Sequence, residues 1–249
     1  AAFPWQHVRK LGEDMVATEI ILAPGTRVGP YEIGALAAAG VTSVPVCRQP
    51  RVAIIPSGSE IVALDEIREE DIQAGRALPE FNSHVFSAMI REAGGLADVH
   101  PVVPDDRSEL KAALLAAVEK GADLVVLNAG SSAGSHDYSA QVIGELGELL
   151  VHGIAVMPGK PAALGIIHAG ERRVPVIGTP GYPVSAIVAM EEFVVPLLCL
   201  WQKREAPHRE KVEALPCNPI PSRPGMEERV RVKLGVVDGR CYAVPLPRG

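Results

Sequence analysis

Three loops rich in glycine and proline, each entered from a short apolar run, constrain this chain more than any other feature. They read Asn128-Ala-Gly-Ser-Ser-Ala-Gly-Ser-His-Asp137, Met157-Pro-Gly-Lys-Pro161 and Thr179-Pro-Gly-Tyr-Pro183. The runs before them, Leu124–Leu127, Ile154–Val156 and Val174–Ile177, read as buried strands. Small-residue loops at strand ends gather on one edge of a parallel sheet, and that edge is where open α/β sheets bind ligands. Glycine lets a backbone approach a ligand and leaves N–H groups free to point at an anion. The pattern predicts a protein that holds an anionic small molecule.

The flanking sequence supplies the rest of such a sheet. Val52–Ile55 and Val99–Val103 read as strands. Val85–Glu92 reads as helix with Asn82 or Ser83 as N-cap, and Ser108–Glu119 as helix with Leu110, Leu114, Leu115 and Val118 on one face. Tyr138–Leu149 and Val184–Leu200 read as helices, with a hairpin between them turning near Ala169-Gly170-Glu171. This alternation predicts a three-layer α/β/α domain over residues 51–204, with a mostly parallel sheet covered on both faces.

Residues 1–50 hold strand candidates at Glu19–Leu22 and Val44–Val46 and a helix candidate at Tyr31–Ala39. So little core predicts the remnant of a larger N-terminal domain. In residues 205–249, Pro216, Pro219, Pro221 and Pro224 argue against helix, whereas Arg229–Leu234, the Asp238-Gly239 turn and Cys241–Val244 predict a small, incomplete all-β domain.

The composition, 47% hydrophobic and 22% charged, is that of an ordinary globular chain. A net charge of −6 argues against a nucleic-acid partner. Cys47, Cys199, Cys217 and Cys241 are scattered and form no Cys-x-x-Cys pair, so buried, reduced thiols in a cytoplasmic protein are expected. No secretory signal pattern is visible, and no apolar run is read as reaching the ~18 residues of a membrane span.

Several side chains near the loops are suited to chemistry, and each has a plainer alternative. Asp137 fits either a helix N-cap or a metal or substrate ligand. Asp105 and Asp106 fit either stabilisation of a helix dipole or hard-oxygen ligation of Mg²⁺. Glu60 is either a solvated glutamate or a carboxylate for metal or proton work at a sheet-edge turn. Lys160 is either solvent-exposed or the point charge of an anion site. Ser131 and Ser132 are candidate hydroxyl donors to phosphate, and His136 is a surface residue or a ligand without a second histidine at metal spacing. There is no Gly-x-Ser-x-Gly elbow, no Walker lysine motif and no Gly-x-Gly-x-x-Gly fingerprint.

Taken together, these segments resemble the molybdopterin molybdenumtransferases, whose eukaryotic relative is the C-terminal domain of gephyrin. The resemblance rests on Arg9-Lys-Leu-Gly-Glu-Asp14, Ala23-Pro-Gly-Thr26, Pro50 to Glu60, Asn82, Pro104-Asp-Asp106, Asn128 to Tyr138, Pro158-Gly-Lys-Pro161, Pro180 to Ser185 and the tail Arg229 to Gly235, in this order along nearly the whole chain. It implies insertion of molybdate into adenylylated molybdopterin with release of AMP, assisted by Mg²⁺, in a homodimer with the site at a subunit boundary. It also implies that Glu60, Asp105 or Asp106, Asp137 and Lys160 are catalytic, with Glu60 and Asp137 toward the metal. Gly130, Ser131, Ser132, Gly134, Ser135, Pro158, Gly159, Pro180, Gly181 and Tyr182 would bind substrate.

The chain also departs from the family pattern. Met157 stands where the resemblance implies the first lysine of a Lys-Pro-Gly-Lys-Pro loop, a loss of about 1–3 kcal/mol if that contact was charge-assisted. Ser59 replaces an acidic residue, Asn128-Ala-Gly130 replaces a Ser-Gly-Gly run, and Tyr182 replaces an asparagine and would fill a pterin pocket or stack on its ligand. These departures leave open a second reading: a weakened module that binds or senses molybdopterin or molybdate within a larger protein.

Overall fold

Alternate residues of one strand serve two cores. The structure, a computed structural model, describes residues 3–129, 138–207 and 210–246. In β1 (Arg51–Pro56), Val52 and Ile54 pack with Phe86 and Ile90, while Ala53 and Ile55 pack with Leu110 and Leu114. A strand buried on both faces needs a continuous β-branched and aliphatic run, as found here.

The elements after β1 are β2 (Ile61–Ala63), α-helix Glu69–Gln73, β3 (Leu78–Glu80), the helix Asn82–Glu92, β4 (Leu96–Val99), the helix Arg107–Glu119, β5 (Leu124–Ala129), the helix Tyr138–Leu146, β6 (Gly147–His152), β7 (Val156–Met157), β8 (Ala163–Ala169) and β9 (Arg172–Pro180). A helical stretch follows, with α-helical ends Pro183–Ala189 and Val195–Trp201 and a π-helical turn at Met190–Val194. The main sheet has the order β4-β1-β5-β9-β8-β6. Its first four strands are parallel, and β8 and β6 add antiparallel pairs. Helices cover both faces, giving the expected three-layer α/β/α architecture.

With α1 given to Pro30–Ala38, the helices number in chain order α2 (Glu69–Gln73), α3 (Asn82–Glu92), α4 (Arg107–Glu119), α5 (Tyr138–Leu146), α6 (Pro183–Ala189) and α7 (Val195–Trp201). From β1 the chain crosses by α3 to β4 on one side, then by α4 to β5 on the other. The strand order therefore reverses between β1 and β5, which makes a topological switch point there.

The structure corrects several sequence expectations. Val99–Val103 is not a strand; β4 ends at Val99, and Val103 makes a single bridge to Ser57. Pro101 within that run removes a ladder donor. The helix expected over Tyr138–Leu149 ends at Leu146, and β6 begins at Gly147. Leu146 and Leu149 both pack on the same core, so their three-residue spacing imitates a helix. A Cβ at Gly147 would stand 2.0 Å from the Ile166 carbonyl oxygen, so only glycine fits this pairing with β8. Ile154–Val156 is not a strand of the main sheet; only the two-residue β7 forms there, and it pairs with β11 (Glu227–Glu228). The helix expected over Val184–Leu200 spans Pro183–Trp201 with the π turn inside it. That stretch is 19 residues long with hydropathy 1.8, so one segment does meet the length and composition of a membrane span. Its Ala186, Met190, Val194 and Leu198 are fully buried in the core on the α3 side of the sheet.

By packing, the chain divides into two units: residues up to Arg48 with Gln202–Arg204, and Gln49–Trp201 with the segment from Glu205. In the first, α1 has no buried residue, and neither Glu19–Leu22 nor Val44–Val46 forms a strand. In the second, β10 (Leu215–Pro216), β12 (Val232–Val237) and β13 (Arg240–Pro245) form a three-stranded sheet in the order β10-β13-β12. β12 starts three residues later than the strand expected at Arg229, because Glu227 and Glu228 pair with β7 instead. Asp238 and Gly239 both have positive φ, as a tight turn between β12 and β13 requires. All four cysteines are free; Cys199 is buried, but Cys47 and Cys217 are exposed, contrary to expectation.

Candidate ligand-binding cleft

A cleft of about 360 Å³ opens beside the C-terminal ends of β1, β5 and β9. Ser57 continues β1, Asn128 is the penultimate residue of β5, and Gly181 and Tyr182 follow β9, so the cleft coincides with the switch point. β3 and the start of α3 contribute Leu78, Pro79, Glu80, Phe81 and Asn82, and Glu60 and Ile61 complete the wall near Ser57. Its volume falls in the ordinary range of small-molecule sites.

Buried amides hold this edge together. Asn128 Nδ2 donates to Thr179 Oγ1 (3.1 Å) and to the Pro180 carbonyl (2.9 Å). Its Oδ1 accepts from Asn82 Nδ2 (3.0 Å), which also donates to the Gly181 carbonyl (2.9 Å). Asn82, Asn128 and Thr179 are all buried. Asn82 is thus the first residue of α3 rather than its N-cap, which is Phe81. Glu80 is also buried and accepts from both the backbone N–H and the hydroxyl of Ser83, which fixes the entry into α3. The sequence assigns no role to Glu80, offers Asn82 as a helix cap or a motif residue, and gives Asn128 only as a motif residue. The available signal was a polar residue ending the apolar run Leu124–Leu127, and a glutamate three residues before a serine at a helix start.

The carboxylates proposed from sequence have different surroundings. Glu60 is exposed and lines the cleft. Asp105 accepts from the Ser57 hydroxyl (3.0 Å), one residue removed from the lining, and its backbone N–H donates to Ser59 Oγ (3.4 Å). Asp106 is the N-cap of α4, accepting from Ser108 N (2.8 Å) and Glu109 N (3.1 Å). The Ser108 hydroxyl first, then these two amides, hold its carboxyl below the usual value. Among the described residues there is no group of three or more His, Cys, Asp or Glu able to hold a metal. Asp137 lies outside the described residues, as do Gly130, Ser131, Ser132, Gly134, Ser135 and His136.

The Met157-Pro-Gly-Lys-Pro161 loop stands apart from the other two. It follows β7 and is not at the edge of the main sheet, and none of its residues lines the cleft. The Met157–Pro158 bond is cis, and Gly159 has φ +125° with its Cα face against Val188 and Ser185 of α6. Lys160 is exposed, while its carbonyl accepts from Ile154 N (2.8 Å). The C-terminal segment clasps the loop's entry: Glu227 N donates to Ala155 O (2.8 Å) and Arg229 N to Met157 O (2.7 Å). Arg229 also pairs with Glu192 in the π turn (2.5 Å), and Arg223 Nη1 lies 3.6 Å from Met157 Sδ. Of the substrate-binding set, Gly181 and Tyr182 line the cleft, and Pro180 joins it through its carbonyl.

Fold and cleft define the class: an open α/β domain with a cleft of small-molecule size at its switch point. The chain belongs to the family described as "Probable molybdopterin binding domain", which matches residues 53–199; residues 1–40 match the "MoeA N-terminal region (domain I and II)". It is 32% identical over 217 residues to "Molybdopterin molybdenumtransferase 2" of Mycobacterium tuberculosis, covering 84% of this chain and 50% of that protein. It is 29% identical over 199 residues to the "Molybdopterin molybdenumtransferase" of Haemophilus influenzae, covering 80% of this chain and 47% of that one. A solved molybdopterin biosynthesis moea protein from Pyrococcus horikosii superposes with TM-score 0.76 at 33% identity, covering 95% of this chain and 55% of that chain. The chain spans about half the length of the curated relatives it matches.

Proposed function

We propose that this chain acts in molybdenum cofactor biosynthesis as a molybdopterin molybdenumtransferase, inserting molybdate into adenylylated molybdopterin with release of AMP. The observation that carries the reading is the amide-braced cleft at the switch point, in a chain of the molybdopterin-binding family. The names of its relatives support the same reaction.

In this reading Asn82 and Asn128 keep the edges of β5 and β9 in one geometry, so substrate meets a cleft that needs no rearrangement. Gly181 and Tyr182 receive the organic part of the substrate, and the Gly130–Gly134 loop with Ser131, Ser132 and Ser135 receives phosphate. Water adds to the adenylyl phosphorus and the bond to the molybdopterin phosphate breaks, so AMP departs carrying the water oxygen and molybdopterin keeps its phosphate. The two dithiolene sulfurs bind molybdenum, and their protons leave with a displaced molybdate oxygen as water.

Lys160, exposed on a loop outside the cleft, attracts the incoming oxyanion through its field. Arg223 brings a guanidinium to Met157, where the resemblance implies a lysine, and so returns a cation to the loop. Glu60 and Asp137 are the proposed holders of Mg²⁺, as hard oxygen donors, and the ion would neutralise charge on phosphate. Asp137 lies outside the described residues, and among the described ones no group of three or more His, Cys, Asp or Glu could hold a metal. A homodimer and a cytoplasmic setting complete the proposal.

The test is AMP release from adenylylated molybdopterin, followed with and without molybdate and Mg²⁺. Release that requires molybdate supports the transferase. Tight binding of substrate with no AMP favours the binding or sensing module, the reading that Met157, Ser59 and Tyr182 would support. Absence of binding overturns both.

A further inference from the structure

Two aromatic rings line the cleft while remaining largely in water. Phe81 is 43% exposed and Tyr182 is 50% exposed, whereas Phe86, one turn further along α3, is fully buried. An aromatic ring left half solvated forgoes a large part of its burial free energy, so two such rings lining one cleft are informative. Each sits immediately before a helix, Phe81 before α3 and Tyr182 before α6, so its backbone position is fixed. The two positions are also tied to each other. The Asn82 side chain donates to the Gly181 carbonyl at 2.9 Å, joining the residue after Phe81 to the residue before Tyr182. The same amide donates to Asn128 Oδ1 at 3.0 Å, which anchors the pair to the end of β5. Ile61, Leu78 and Pro79 extend the apolar wall, and Ser57 and Glu60 supply polar groups beside it.

We propose that Phe81 and Tyr182 form a stacking clamp for a planar nitrogen-heteroaromatic ring. The clamp rests on the transferase reading, because adenylylated molybdopterin carries two such rings, pterin and adenine. Aromatic faces bind any flat π system, and their selectivity comes from the polar groups at the rim. The clamp is a property of this chain: the resemblance implies asparagine at 182, which cannot stack in this way. Tyr182 is therefore a gain of ring-binding surface at the position where the family pattern is lost.

The test is titration of the chain with three probes: a fluorescent pterin carboxylate, AMP and, as a ring-free control, ribose 5-phosphate. The variants are Phe81→Leu, Tyr182→Leu and Tyr182→Phe. The leucine variants are expected to weaken at least one ring-bearing probe by about tenfold, with Tyr182→Phe close to the parent and ribose 5-phosphate unaffected. Loss confined to the pterin assigns the clamp to pterin, and loss confined to AMP assigns it to adenine. Both leucine variants within twofold of the parent for both ring probes would overturn the clamp while leaving the transferase reading intact. A parent chain that binds neither ring probe nor adenylylated molybdopterin overturns that reading and the clamp with it. Both residues are largely exposed, so the leucine variants are expected to fold, and Tyr182→Phe retains the ring if they do not.

Discussion

The end of β5 with the segment closing β9, and the loop after β7, are held in place by opposite means. Asn128 and the Thr179–Tyr182 segment are locked by buried side-chain amides within the main sheet. The Met157–Pro161 loop is held by a two-residue strand pair and by partly exposed side chains of the C-terminal segment. A buried amide network fixes geometry firmly, because breaking it strands polar atoms away from water. A short strand pair with exposed ion pairs is easily shifted, since water replaces what is lost. The cleft edge is therefore rigid, whereas the loop bearing Lys160 takes its position from a distant part of the chain.

The change that should damage the rigid side most is Asn128→Ala. It leaves Asn82 Nδ2, the Thr179 hydroxyl and the Pro180 carbonyl each short of a partner. Two or three stranded groups predict a loss of about 3 kcal/mol in urea unfolding, together with loss of substrate binding. A midpoint equal to that of the parent would mean that the edge is held by strand pairing alone.

The loop side is tested through its charge. Arg223→Ala is expected to lower molybdate-dependent AMP release about tenfold, equivalent to about 1.4 kcal/mol in the barrier. Met157→Lys in that background should restore it, because the cation then returns on the loop itself. Restoration by lysine separates a charge effect from a packing effect. If Arg223→Ala releases AMP at the parental rate, its guanidinium is only a neighbour of the Met157 sulfur.

A smaller effect is expected at Arg229, which pairs with Glu192 and Glu227 at an interface where all three side chains keep access to water. Arg229→Ala should cost about 0.5–1 kcal/mol in global stability, in line with partly exposed pairs. Its local effect should be larger: amides of the Glu227–Arg229 segment should exchange faster, while those of β5 and β9 should not change. Equal protection throughout would show that strand pairing at β7 holds the loop without help from the ion pair.

The strands of the rigid side are legible in the sequence, and the long-range contacts on either side are not, for physical reasons. Val52–Ile55 and Leu124–Leu127 are continuous apolar runs ending at turn residues, and local patterning suffices to read them as buried strands. The pairing of Glu227 and Glu228 with β7 joins segments some seventy residues apart, and no local period encodes it. Glu80 escaped notice because a glutamate has the same letter whether it is solvated or buried against Ser83. Leu146 and Leu149 misled because strand β6 and the end of α5 face one core. Asn82 reads as a helix cap or a motif residue, but its role depends on reaching both Asn128 and Gly181, and only the fold brings them together.

The smallest effect is also the one that separates two readings of a single carboxylate. Sequence left Asp106 open between a helix cap and a cation ligand, and the structure caps α4 with it. Its folded-state carboxyl lies below the ordinary value of 3.8, chiefly through the Ser108 hydroxyl and then the amides of Glu109 and Ser108. A depressed carboxyl stabilises the fold above its unfolded-state pKa, and that contribution is lost as pH falls through the folded-state value. Asp106→Asn keeps a capping oxygen but removes the charge. Its melting temperature should therefore lie slightly below the parent's at pH 7, with the gap closing below about pH 4 as the parental carboxyl is protonated. A cation ligand makes a different prediction: the variant would melt like the parent without metal and lose only the stabilisation that added Mg²⁺ confers. Melting curves at several pH values, with and without Mg²⁺, decide between a charge that holds a helix and one that holds an ion.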